Sequence, residues 1–162
     1  MAAPPPFKST HTNRALVFIA TGFGSGYLPK APGTFGSLVG VLIAWPLLAL
    51  PLALYLLASA ACCALGVVAA GVAERRFGTK DPGAIVIDEI AGMLVTLTAI
   101  TPTVPHLLLG FALFRLFDIF KPFPCRWAER RFGGGLGVMA DDILAGIYAA
   151  AALRLLLYLT GW

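Results

Sequence analysis

From Phe35 to Ala73 the chain carries no charged residue. As one helix this stretch would be about 58 Å long, nearly twice the ~30 Å hydrocarbon core of a bilayer. It therefore has to fold back, and Pro46 and Pro51 mark the turn. The first arm, 36–50, is short for a span and could be tilted or re-entrant. Its Gly36, Gly40 and Ala44 recur every four residues and offer a small-residue face for close helix packing. The second arm, 52–73, is long enough to cross. Composition points the same way: 59% of the residues are hydrophobic and only 12% charged, where a soluble domain has about 25% charged.

Three more apolar segments follow, at 84–100, 106–120 and 136–159. The expected fold class is therefore all-α: a polytopic helical membrane protein with about five membrane-embedded helices, the first short or re-entrant. Residues 1–13, with Pro4-Pro5-Pro6, are expected to be a disordered tail, and 14–162 a single helical membrane domain. No removable signal peptide is expected, because no apolar core with a cleavage site follows the tail. Residues 14–20 read as a short interfacial or buried helix, and 121–135 as a basic loop rich in arginine and glycine.

Charge fixes the expected orientation. With the N-terminus inside, the inner loops hold Lys8, Arg14, Lys30, Arg75, Arg76, Lys80, Lys121, Arg126, Arg130 and Arg131, while the turns near Pro51 and Pro102 hold no lysine or arginine. That asymmetry predicts five passes with the C-terminus outside. It also assigns the net charge of +4 to loops facing anionic lipid rather than to nucleic acid.

The same topology brings Asp88, Glu89, Asp118, Asp141 and Asp142 to within about two turns of the inner surface. Five of the chain's eight acids at one level repel one another unless a cation offsets them, and ionisable residues inside membrane helices are functional candidates. Arg115 and Lys121 would offset part of the charge. A divalent ion would do so better, and hard oxygen ligands favour magnesium or manganese. On this reading all five acids are candidate metal ligands. Asp88, Glu89, Asp118 and Asp142 are the candidate catalytic residues, and Lys30, Thr34, Arg115, Lys121 and Arg126 receive a phosphate. Plainer readings stand beside it: Asp118 as a structural partner of Arg115, and Asp141-Asp142 as acids favouring a helix N-terminus. The glycine-proline loop at 21–34 is either turn chemistry or a backbone cradle for phosphate. Glu74, Asp81 and Glu129 read as solvated partners of neighbouring basic residues. His11 and His106 lie away from the acids.

Five segments together carry a resemblance: Thr21-Gly22-Phe23-Gly24-Ser25-Gly26, Ala31-Pro32-Gly33-Thr34-Phe35-Gly36, Ile87-Asp88-Glu89, Phe114-Arg115-Leu116-Phe117-Asp118-Ile119-Phe120-Lys121-Pro122, and Gly134-Gly135-Leu136-Gly137-Val138-Met139-Ala140-Asp141-Asp142. The chain resembles phosphatidylglycerophosphatase A over roughly 15–150. The resemblance implies a multi-pass enzyme of the bacterial inner (cytoplasmic) membrane whose active site faces the cytoplasm. It also implies a Mg2+-dependent lipid phosphatase that converts phosphatidylglycerophosphate, a phospholipid in the membrane, to phosphatidylglycerol and phosphate. Cys125 stands where an aliphatic residue is expected, and the proline-rich tail is peculiar to this chain.

Three rivals are weaker. Cys125 and Arg131 have the C-x5-R spacing of cysteine-dependent phosphatases, but the residues between them are bulky and lack the glycine a phosphate-wrapping loop needs. A CDP-alcohol phosphotransferase shares only clustered membrane aspartates, without its spaced motif. A small ion or proton transporter needs a polar path, and the outer halves of these segments carry almost nothing ionisable. The topology is directly testable: reporter fusions should place Lys80 and Arg131 in the cytoplasm and residues near Pro51, Pro102 and Trp162 outside. A cytoplasmic C-terminus in folded protein would overturn the five-pass arrangement.

Overall fold

The computed structural model describes residues 10–161, and among them every regular element is helical. The elements are α1 (His11–Ala20), a 3-10 turn (Ser25–Tyr27), α2 (Pro32–Leu47), α3 (Leu52–Phe77), α4 (Ile87–Thr96), α5 (Val104–Phe120), α6 (Cys125–Arg131) and α7 (Gly134–Thr160). Of the expected tail over 1–13, residues 1–9 lie outside the described part. α1 begins at His11, where the Thr10 hydroxyl accepts the Asn13 N–H at 3.2 Å. The fold-back falls where the prolines put it. α2 ends at Leu47, one residue after Pro46, and Pro51 caps the start of α3.

Two helices among the described residues are long and apolar enough to cross a membrane, Leu52–Phe77 and Gly134–Thr160, rather than five. α2 and α5 are shorter, at 16 and 17 residues. The expected third span, 84–100, is the clearest correction. Only Ile87–Thr96 is helical, about 15 Å of rise, too short to cross as a helix. Its end is closed by side chains remote in sequence. The Tyr55 hydroxyl on α3 donates to the Leu94 carbonyl at 2.7 Å, and Arg154 on α7 donates to the Thr98 carbonyl. These partners satisfy carbonyls that a continuing helix would otherwise have used. The expected basic loop is also corrected, because 125–131 forms α6.

α4 is the hub of the bundle. It packs against α2, α3, α5 and α7, and α7 in turn packs on α3, α5 and α6. The predicted small-residue face of α2 is the one that approaches it: Gly36, Gly40 and Ala44 are buried. α7 comes closest. A Cβ on Gly146 would lie 2.6 Å from the Gly92 carbonyl oxygen of α4, so the two backbones meet where no side chain fits. Around this core the bundle wears apolar side chains outward. Leu42, Leu57, Val68, Leu108, Ile147 and Leu155 are all exposed, a surface suited to lipid rather than water.

Because the contact at Gly146 is backbone on backbone, Gly146→Ala should force α4 and α7 apart and cost about 1–3 kcal/mol. Thermal unfolding in detergent measures this, and an unchanged melting temperature would mean the helices do not meet there.

Candidate active site

The sequence placed its acids at one level, and the helices bring them into one cleft of about 450 Å³. Asp88 and Glu89 stand in the first turn of α4, Arg115 and Asp118 in the last two turns of α5, and Asp141 and Asp142 in the third turn of α7. Lys30 and Lys121 complete the expected residues lining the cleft. Two expected residues are not brought in. Thr34 lies half-buried on the first turn of α2, and Arg126 turns away to donate to the Phe120 carbonyl at 3.2 Å.

Asp88, Glu89 and Asp142 form the tightest group, each offering a carboxylate oxygen within 4.8 Å of the others. Asp88 is 8% and Asp142 3% exposed. No ion pair reaches any of the three among the described residues, and Asp88 Oδ1 and Glu89 Oε2 are buried without a hydrogen-bond partner. Gly33 at the start of α2 closes the group from one side, since a Cβ there would lie 2.3 Å from Glu89 Oε1. Three unpaired carboxylates so close together, two of them with an orphaned buried oxygen, are costly as they stand. Their oxygens converge as a hard divalent cation requires, with no soft donor among them. The donor set fits magnesium or manganese.

Two cations in the cleft are held rigidly. Arg115 Nη1 donates to Asp118 Oδ2 at 2.5 Å and to Ser37 Oγ at 3.5 Å, and Ser37 is itself tied to the Gly33 carbonyl at 2.7 Å. Asp118 thus pairs with Arg115 as the plainer reading supposed, while both still line the cleft. Lys121 donates to Asp141 Oδ2 at 2.5 Å and to Glu129 Oε2 at 3.2 Å. Burial alone would push the Lys121 ammonium down, but the hydrogen bonds and charges of Asp141 and Glu129 outweigh it and hold the group above its usual range. Lys121 therefore stays charged across the working pH range.

Sequence reasoning missed two residues. Asp81, taken for a solvated acid, is indeed exposed, but it stands at the edge of the cleft. Its backbone N–H is fixed by Glu74 Oε1 at 2.9 Å. The signal was its place in the Lys80-Asp81-Pro82-Gly83 turn just before α4, at the same end as Asp88. Glu129, also taken for solvated, anchors Lys121 from α6. Cys125 is fully buried at the first turn of α6 and burial pushes its thiol up. It is a packed side chain on a helix, not a thiolate in a loop.

An acid-lined cleft at the ends of apolar helices, with a carboxylate trio and two anchored cations, marks a helical protein of membrane type whose polar groups are gathered at one end. The family described as Phosphatidylglycerophosphatase A matches residues 18–157. A phosphatidylglycerophosphatase A of Haemophilus influenzae is 39% identical over 156 residues, 94% of this chain and 95% of that protein. The Escherichia coli K12 phosphatidylglycerophosphatase A is 40% identical over 136 residues, covering 83% and 79%. A Bacteroides thetaiotaomicron protein with the provisional name phosphatidylinositol-3-phosphatase is 43% identical over 142 residues, covering 82% and 87%. No solved structure matches. The chain belongs to the phosphatidylglycerophosphatase A family, and it is an enzyme of the phosphatase class.

The Lys121–Asp141 pair gives a direct test of the site's construction. Lys121→Met leaves a carboxylate buried and unpaired, and should cost about 3 kcal/mol or more. Adding Asp141→Asn should recover most of that in a double-mutant cycle read by thermal unfolding. A double variant no more stable than the single would mean that the pair is not what holds Lys121.

Proposed function

We propose that the chain hydrolyses phosphatidylglycerophosphate to phosphatidylglycerol and phosphate at the cytoplasmic face of a bacterial inner membrane, with Mg2+ held by Asp88, Glu89 and Asp142. One observation carries the reading. The cleft is lined by six carboxylates, Asp81, Asp88, Glu89, Asp118, Asp141 and Asp142, against three cations, Lys30, Arg115 and Lys121. A phosphate group brings about 1.5–2 further negative charges, so bound metal is needed before the substrate can enter. Asp118 and Asp141, already paired with Arg115 and Lys121, are then less suited to be direct ligands than the unpaired trio.

When bound, the cation neutralises phosphoryl oxygens and makes a water nucleophilic near neutral pH. The chain's own residues do the rest. Arg115 and Lys121, fixed by their acid partners, present N–H donors to the non-bridging oxygens, where charge builds in the transition state. Ser37 and Glu129 keep those cations from swinging out of line. Lys30 at the cleft mouth draws the phosphate in from the headgroup layer. The apolar exterior keeps the glycerolipid in the bilayer while its headgroup reaches the cleft.

The same reading accounts for the passes. α2, α3, α5 and α7 cross, and the third pass is α4 continued by 97–103. On this reading that segment crosses without being helical, with its Thr98 carbonyl met by Arg154 and its Thr101 carbonyl by the His106 ring.

The test is phosphate release by purified protein from phosphatidylglycerophosphate, titrated with magnesium. Asp88→Asn, Glu89→Gln and Asp142→Asn should each lose about 100-fold or more, with a raised magnesium requirement, and chelation should abolish turnover of the wild type. Normal turnover by all three variants would remove them from the site. Faster release from phosphatidylinositol 3-phosphate would reassign the substrate while leaving the site intact.

A further inference from the structure

A second cleft lies outside the acidic one, on the same end of the bundle. It is an open groove of about 570 Å³ between the end of α3, the 78–80 turn, the end of α6 and the start of α7. Its charge is the reverse of the first. Arg75, Lys80, Arg130 and Arg131 line it against one acid, Glu74, and Glu74 is turned toward the Asp81 N–H. The first turn of α7 opens into the same space at Gly133 and Gly134, with no side chain capping its N–H groups. None of these residues lines the acidic cleft, although Glu74 holds the Asp81 N–H at its edge.

We propose that this cleft binds the headgroup of an anionic phospholipid from the surrounding bilayer. Two observations choose a lipid over a free anion. The cleft is built from the ends of the two helices long enough to cross a membrane, α3 and α7, which places it at headgroup depth. Its rim carries aromatic residues of the kind that settle at that depth. Phe132 lines it, and exposed Trp127 stacks edge-on against Phe132 with ring centres 6.2 Å apart. Arginine suits the ligand because its planar fork can donate to two phosphate oxygens at once. Lys80 is already oriented, donating to the Glu129 carbonyl at 3.2 Å, with donors to spare for the headgroup.

Trp127 supplies the probe. In a Trp45→Phe, Trp162→Phe background, full-length protein is placed in nanodiscs of phosphatidylcholine containing either brominated phosphatidylglycerol or brominated phosphatidylcholine at equal mole fraction. Phosphatidylglycerol should quench Trp127 at a several-fold lower mole fraction. Each arginine removed in the series Arg75→Gln, Arg130→Gln, Arg131→Gln should weaken that preference about fivefold. The matching Arg→Lys series keeps the charge but loses the planar fork, and should retain part of the preference, which separates lost binding from lost folding. Equal quenching by the two lipids overturns the proposal, as does a preference that survives the triple Gln variant. Loss of the preference in millimolar inorganic phosphate at constant ionic strength would assign the cleft to a free anion instead. The readout is lipid contact rather than turnover, so it stands or falls separately from the phosphatase reading.

Discussion

Repulsion among buried carboxylates is the constraint on which the rest of this bundle depends. Asp88, Glu89 and Asp142 come from two helices and converge to within 4.8 Å, although each would be more stable apart in water. Packing holds them there. α4 is pinned on four sides, and at Gly146 α7 approaches it backbone to backbone, with the oxygen of Gly92 where a Cβ would sit. The free energy of that packing offsets the cost of gathering like charges.

The remaining acids show how the cleft divides its work. Asp118 and Asp141 are each paired with a cation at 2.5 Å, so their charge is spent locally in fixing Arg115 and Lys121. The trio has no such partner. One cleft therefore holds two kinds of carboxylate, and on the proposed reading one positions donors for an anion and the other is left open for a cation. Phosphate chemistry needs both, because an anionic substrate must meet positive charge without its donors collapsing onto the acids beside them.

Much of this was legible in the sequence because membrane constraints act on composition and spacing. The uncharged run had to fold back, and it does so between Leu47 and Leu52. The acids on 84–100, on 106–120 and on 136–159 do share one cleft. What could not be read depends on partners distant in sequence. Leu97 and Ile100 are as apolar as the helix before them, and nothing local says that α4 stops at Thr96. It stops because Tyr55 and Arg154 reach carbonyls there from α3 and α7. α6 was hidden by its arginines, which read as a loop until Cys125 and Ala128 are seen buried against α7. Asp81 and Glu129 keep contact with solvent as their basic neighbours in sequence suggest, but their places at the cleft edge and beside Lys121 depend on neighbours in space.

The closure of α4 has one more implication. Asp88 and Glu89 sit at one end of a helix rising about 15 Å, and Tyr55 and Arg154 grip the chain at or just beyond the other end. α4 is in effect a short rod clamped at its far tip, with its working end in the acidic cleft. The axial height of the carboxylates is thus set on the opposite side of the bundle. A displacement of α3 against α7 along the bundle axis would therefore be felt in the acidic cleft as a change in the height of Asp88 and Glu89 against Asp142.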